Sequence, residues 1–198
     1  MKWYNFKSIP LFFLLILINS IFINSFIFST LLFILLIRKI IYLYLINSQM
    51  NVSFSEFQNG LVYAPISGEV DEVRDDDRGN VIVCKGSSLI PSGICFPVGG
   101  EIISSTTNNQ MADFFSFGKF EEIGIKKADF NLKLIIKMHK FQNFSKILRI
   151  GDMGISGALF SELPFMAKVE IILPKYFKVN VNVGEKVLLG KTPLASWE

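Results

Sequence analysis

Cysteine and histidine are scarce in this chain, whose 198 residues include two cysteines and one histidine. Cys84 and Cys95 are too few for a disulfide framework and lack the spacing of zinc ligands. We interpret them as reduced core thiols, although a single pair can also form a disulfide. His139 has neither an acid nor a nucleophile beside it, so we interpret it as a strand-end residue rather than a catalyst. We therefore predict no metal site.

Acidic residues are absent from the first fifty residues, which carry four basic residues: Lys2, Lys7, Arg38 and Lys39. Since the whole chain has 20 basic and 17 acidic residues, 16 basic and 17 acidic residues remain for the rest. The net charge of +3 thus originates beside the N-terminal apolar run. The rest lacks the basic surplus of a nucleic-acid-binding domain, so no nucleic-acid partner is predicted.

A run without any charge extends from Ser8 to Ile37 and is rich in Phe, Ile and Leu. As one helix it would measure about 45 Å, against about 30 Å for the hydrocarbon core of a bilayer. Basic residues flank both ends, which favours a shallow helical hairpin or tilted anchor with the following domain on the cytoplasmic side. A single transmembrane span is the alternative. We assign residues 1–46 to a membrane anchor, 47–60 to a linker and 61–198 to a β domain.

The β domain is predicted from short sequence motifs that repeat. The segment 168–173 alternates and then becomes continuously apolar, as a strand entering a core does. A motif with two glycines six residues apart occurs at 151–157 and again, 33 residues later, at 184–190. A motif with a proline followed three residues later by a glycine occurs at 64–70 and recurs 32 residues later at 96–102. We predict a mainly β, barrel-sandwich-like domain with internal repeats, whose glycines supply positive φ in tight turns.

Three further segments of the β domain can be interpreted from their own residues. Residues 132–138 predict a strand, whereas 103–129 show no clear period and predict a long loop with an aromatic-rich tip. The acidic segment 75–79 predicts a solvated turn between two strands.

The C-terminal segment resembles the phosphatidylserine decarboxylase family, in particular its short membrane-associated form. That family has a Gly-Asp…Gly run, then Phe-Gly-Ser, a basic residue, Val, an acid, an apolar pair, Leu and Pro, and a Val-Gly-x-x-Val-x-x-Gly tail. Here Gly-Asp lies at 151–152, and residues 165–174 read Phe-Met-Ala-Lys-Val-Glu-Ile-Ile-Leu-Pro. The tail corresponds to 183–190, and 64–70 and 97–102 are similar to two upstream family motifs. The resemblance is strong over 149–195 and patchy elsewhere.

The resemblance implies chemistry that this chain cannot perform at the matching positions. Family members cut themselves at the Gly-Ser bond, and the serine becomes the pyruvoyl cofactor that decarboxylates the lipid. Met166 and Ala167 stand at those two positions, and Ser67 stands where the self-cleavage Asp is expected. Ser92 falls near the family's histidine. These degenerate positions predict that the chain makes no pyruvoyl cofactor and has no catalytic residue of that kind. The only Gly-Ser pair, at 86–87, lies in the wrong half of the fold and is interpreted as a turn.

We therefore expect a membrane-anchored relative without self-processing, which binds membrane phospholipid and acts beside an active paralogue or a second copy of itself. One alternative is an active phosphatidylserine decarboxylase with atypical site residues. Another is a biotinyl- or lipoyl-type hybrid-barrel carrier or membrane-fusion adaptor, in which Lys168 would be the carrier lysine. A membrane-tethered β domain of unrelated function is the plainest alternative.

Overall fold

The computed structural model describes the following residues: 30, 32–37, 39–41, 60–86, 93–109, 117–128, 130–139, 142, 148–163 and 166–197. The chain divides into two compact units, Met1–Asn47 and Ser48–Glu198. In the first unit, residues 30, 32–37 and 39–41 are helical. No helix built from the described residues is both long enough and apolar enough to cross a bilayer. Most of the predicted anchor, and the predicted linker except residue 60, lie outside the described residues.

The second unit is built of strands, which confirms the prediction of a mainly β domain. Within the described residues the strands are β1 (Leu61–Tyr63), β2 (Gly68–Asp76), β3 (Gly79–Gly86), β4 (Gly93–Cys95), β5 (Gly100–Asn109), β6 (Phe117–Lys127), β7 (Phe130–His139), β8 (Met153–Gly154), β9 (Leu159–Glu162), β10 (Lys168–Leu173), β11 (Lys178–Val179), β12 (Lys186–Val187) and β13 (Pro193–Ser196).

An eight-stranded sheet in the order β12-β2-β3-β10-β7-β6-β5-β8 forms the centre and curls into a half-barrel. Two smaller sheets accompany it, β1-β13-β11 and β4-β9. The antiparallel strands β10 and β7 lie at the centre of this sheet. On the β10 side follow the hairpin β3–β2 and the two-residue edge strand β12, and on the β7 side follow the hairpin β6–β5 and the two-residue edge strand β8. The hairpins β2–β3 and β5–β6 carry a bulge at equivalent places, after Val70 and after Ile102. The large sheet therefore consists of two similar halves.

The same hydrogen bonds join the loop beside the edge strand to the hairpin in both halves. The N–H of Gly151 donates to the carbonyl of Ile102, and the N–H of Gly184 donates to that of Val70, each over 2.8 Å. Gly151 has a φ of 91° and Gly184 one of 86°, so the prediction of positive-φ glycines in these turns is confirmed.

The acid after each of these glycines closes its own turn. The Asp152 carboxylate accepts a hydrogen bond from the N–H of Arg149 over 2.9 Å, and the Glu185 carboxylate accepts one from the N–H of Asn182 over 3.1 Å. A carboxylate that accepts a hydrogen bond from a nearby backbone N–H stabilises a turn. The repeated Gly-acid motif therefore has a structural role.

Both predicted strands are confirmed, since 168–173 is β10 and 132–138 lies within β7. The predicted long loop at 103–129 is wrong, because 103–109 belong to β5 and 117–127 to β6. The prediction failed because the outer half of β5 is exposed and carries polar residues, so it shows no alternation of apolar side chains. The predicted aromatic tip lies largely outside the described residues.

The hydrophobic core contains side chains from all three sheets, among them Val62, Ile94 and Ile171. A smaller cluster on the other face of the large sheet consists of Val81, Val83, Ile135 and Ile172. This outer cluster surrounds a buried charge that is described below.

Candidate functional site

The two positions that the family resemblance singles out lie directly before β10. Ala167 is fully buried, with 0 % of its surface exposed, and its methyl group belongs to the hydrophobic core. Its carbonyl accepts a hydrogen bond from the N–H of Gly86, at the end of β3, over 3.3 Å. Residue 167 thus extends the β10–β3 pairing by one step and presents a methyl group, not a hydroxyl, to the interior.

Met166 adopts a backbone conformation that suits glycine. Its φ is +56°, in the left-handed region, and 43 % of its surface is exposed. A side chain in this region costs about 1–2 kcal/mol because the Cβ atom crowds the following carbonyl oxygen. The resembling family has glycine at the matching position, and methionine is a poor choice for this backbone geometry.

Ser67 lies at the same end of the sheet as Ala167. It precedes Gly68, which pairs with Gly86, and Gly86 in turn binds Ala167. The Ser67 hydroxyl oxygen accepts a hydrogen bond from the N–H of Leu189 over 3.0 Å. The structure therefore places Ser67 and Ala167 at the same end of the sheet, directly before two strands that β3 separates, while Ser92 lies outside the described residues.

The second half of the sheet has the reversed version of the Ser67 contact. There the N–H of Gly99 donates to the Ser156 hydroxyl oxygen over 2.7 Å. Gly99 is the counterpart of Ser67, and Ser156 is the counterpart of Leu189. Each half thus uses one serine to join its hairpin to the loop beside its edge strand, so the Ser67 hydroxyl already has a structural role.

Lys168 is the first residue of β10 and is held in the sheet. Its backbone lies opposite Lys85 on β3 and Lys137 on β7. Its ammonium group forms an ion pair with Asp71 at 2.5 Å and lies 5.9 Å from the ring centre of Phe117. With 29 % of its side chain exposed, it is not at the tip of a protruding hairpin.

Glu170, two residues further along β10, is a buried charged group that no local sequence pattern indicated. Its side chain is 1 % exposed, and its carboxylate contacts Lys137 at 2.5 Å, Arg74 at 3.0 Å and Arg78 at 3.4 Å. The pKa of Arg74 is raised, first by its hydrogen bond to Glu72 and further by the charge of Glu170. Buried carboxylates require such compensation, so this cluster is structural.

Glu121 on β6 is the second buried acid among the described residues, with 2 % exposure. Its carboxylate accepts hydrogen bonds from the hydroxyls of Thr107, over 2.5 Å, and Ser105, over 3.3 Å. Both partners lie on β5, so these bonds join the two strands of one hairpin. The expectation of a loop at 103–129 gave no reason to place these residues opposite one another.

The remaining candidates carry no reactive geometry. His139 ends β7, and its ring stacks on Phe117 with centres 5.0 Å apart. Cys84 and Cys95 are free and buried, and burial raises the pKa of each thiol to about 12. The described parts of the chain contain no group of His, Cys, Asp and Glu that could hold a metal ion.

A cavity of about 590 Å³ lies between the β6–β7 turn and the loop around β8, and its lining does not include residues 166 and 167. It is lined by Gly99, Gly100, Glu101, Lys126, Lys127, Ala128, Met153, Gly154, Ile155 and Ser156.

Comparison with known proteins gave no match: no protein-family model, no curated protein and no solved structure matches this chain.

Proposed function

We propose that the chain is a membrane-anchored phosphatidylserine decarboxylase-like protein that neither cuts itself nor forms a pyruvoyl cofactor. One observation carries the proposal: a buried methyl group at Ala167 directly follows a residue in the left-handed conformation, Met166. In the resembling family these two positions are the serine and the glycine of the self-cleavage site. The backbone at 166, and the location of Ser67 at the same end of the sheet, support this correspondence of positions.

The residues present do not fit the pyruvoyl group. Formation of that group requires a side-chain hydroxyl that attacks the preceding carbonyl carbon and is later eliminated. Ala167 has no side-chain oxygen for either step, and its methyl group packs in the core. Ser67 provides a hydroxyl and not a carboxylate at the position of the expected aspartate, and that hydroxyl accepts the N–H of Leu189. We therefore derive no catalytic step through such a group.

The proposed role is to bind membrane phospholipid and to support an active paralogue or a second copy of this chain. The uncharged run at 8–37, with basic residues on both sides, would attach the chain to a bilayer with the β domain on the cytoplasmic side. The paired halves of the β domain are compatible with a barrel-sandwich with internal repeats.

The carrier alternative is poorly supported by the geometry. A carrier lysine must swing its attached group between distant partners, so it belongs at an exposed turn. Lys168 instead lies in a strand paired on both sides, and its ammonium group is bound to Asp71. The contacts of Lys168 therefore favour a fixed structural position.

The proposal is tested by treating purified protein with a fluorescent hydrazide, which labels a pyruvoyl carbonyl, and by assaying decarboxylation of phosphatidylserine in vesicles. We expect neither labelling nor product. The matched control is the double variant Met166→Gly, Ala167→Ser, which restores the glycine and the hydroxyl. Labelling of the unaltered chain would overturn the proposal and favour the active enzyme with atypical residues.

A further inference from the structure

We propose that residues 149–156, here called the edge loop, dock the β domain onto a bilayer that contains anionic lipid. This inference rests on the proposed membrane attachment and adds a second, separate contact to it. It concerns the β8 end of the large sheet and not the Met166–Ala167 junction.

The edge loop exposes three large apolar side chains within six residues. Ile150 is 66 % exposed, Met153 72 % and Ile155 56 %. Single exposed apolar residues are ordinary, but a contiguous group of this kind marks a surface that is covered by a partner or a membrane. The loop is held rigidly by its backbone, because β8 pairs with β5 and Gly151 donates to Ile102. The apolar side chains are therefore presented to the outside by a fixed turn.

Basic side chains adjoin this apolar group. Lys126 and Lys127 line the cavity of about 590 Å³ together with Met153 and Ile155, and Arg149 begins the loop. Two acids lie nearby: Glu101 is opposite Lys126 in the sheet, and the Asp152 carboxylate is turned onto the N–H of Arg149. Three basic residues and two acidic residues give this region a net charge of +1. Apolar side chains with basic neighbours match the boundary between acyl chains and anionic headgroups.

A bilayer that contains anionic lipid is favoured over a protein partner because the exposed apolar side chains adjoin the basic residues Lys126, Lys127 and Arg149, which complement anionic headgroups. An exposed group of Ile and Met inserts into a fluid boundary without a complementary pocket, whereas a protein partner would have to supply one. The cavity beside the loop is lined by Lys126 and Lys127 as well as by Met153 and Ile155, which suits an anionic headgroup of a lipid that remains in its membrane.

The other half of the sheet provides an internal comparison. The loop around β12 is the counterpart of the edge loop, and there Lys186 replaces Met153. Leu188, the counterpart of Ile155, is 57 % exposed, so the two positions have almost the same accessibility. The two loops lie at opposite edges of the large sheet. A label at 188 therefore serves as a control for a label at 155.

The test uses the full chain with a single cysteine introduced as Met153→Cys, Ile155→Cys or Leu188→Cys and labelled with the polarity-sensitive dye NBD. The native Cys84 and Cys95 are buried and should not react in the folded protein. Labelled protein is floated with vesicles of phosphatidylcholine alone or of phosphatidylcholine with phosphatidylglycerol, and the NBD emission of the floated fraction is recorded. We expect a blue shift and quenching by doxyl-labelled lipid at 153 and 155 in anionic vesicles, and little change at 188.

Neutralising one basic residue supplies the electrostatic part of the test. Because one basic residue near an anionic surface contributes about 1 kcal/mol, Lys126→Gln should lower the ratio of inserted to free label about fivefold. Protein that floats with an unshifted label at 153 and 155 overturns this inference alone. Equal shifts at 155 and 188, equal shifts in the two vesicle types, or no effect of Lys126→Gln overturn it as well. A chain that does not float contradicts both this inference and the proposed membrane attachment.

Discussion

The backbone N–H of Gly86 donates a hydrogen bond to the carbonyl of Ala167 over 3.3 Å. A Cβ atom on Gly86 would overlap a terminal methyl group of Leu163, so these two segments of the chain meet closely at this point. Residue 167 is therefore part of the sheet, and the residue before it must make a sharp turn into the strand. That turn is where the left-handed φ of Met166 occurs.

Met166→Gly should stabilise the protein by up to about 1 kcal/mol. Glycine removes the left-handed penalty of about 1–2 kcal/mol, and its greater freedom in the unfolded chain cancels part of that gain. Urea unfolding followed by the fluorescence of Trp197, which packs 4.9 Å from the ring of Phe130, measures the change. Met153→Gly is the control, because Met153 is exposed without a positive φ, and it should lose stability. Equal losses in both variants would show that position 166 has no preference for glycine.

Gly68→Ala should destabilise the protein by about 3 kcal/mol, because the added methyl group would overlap the backbone carbonyl oxygen of Lys85. Gly100→Ala in the other half should behave alike, since its methyl group would overlap the carbonyl oxygen of Lys126. Gly99→Ala is the control: its nearest neighbours would be 3.4 Å away, and its effect should stay within about 0.5 kcal/mol. Denaturant unfolding of the three variants tests this order, and a harmless Gly68→Ala would contradict the close approach of β2 and β3.

Glu170→Gln should cost about 2 kcal/mol, because it removes the buried negative charge that faces Lys137 and Arg74. The cost is moderated because both cations are partly exposed to water. Glu122→Gln is the matched change at the surface, where Glu122 forms an ion pair with Lys133 at 3.2 Å, and it should cost less than about 1 kcal/mol. Urea midpoints of the two variants give the comparison. An equal effect would mean that the Glu170 cluster contributes no more than a surface pair.

How much of the fold was predictable from the sequence depends on the range of the interactions. β10 and β7 were predicted because their own residues alternate and then become apolar, which is a local signal. β5 was missed because its outer residues are polar, and its strand form depends on pairing with β6. The Glu170 cluster was missed for the same reason, since Arg74 lies 96 residues away along the chain. Ala167 was identified as a missing hydroxyl by resemblance, but its burial required the fold.

Alkaline pH should destabilise the protein through its two thiols. Burial raises the pKa of Cys84 and Cys95 from 9.0 to about 12, so the folded state keeps both thiols protonated while the unfolded state ionises. Their contribution to stability is complete below pH 9 and is lost as the pH rises from 9 towards 12. At pH 10 the loss is about 1.4 kcal/mol per thiol. Urea unfolding at pH 8 and pH 10 should therefore show a smaller pH effect in Cys84→Ala, Cys95→Ala than in the unaltered chain. Identical pH effects would contradict the burial of these thiols.

The intact mass of the purified full-length protein tests the absence of self-processing most directly. The predicted result is one species with the mass of the uncut 198-residue chain, before and after prolonged incubation. Two fragments, the smaller beginning at residue 167 with an α-keto end in place of an amine, would contradict the account.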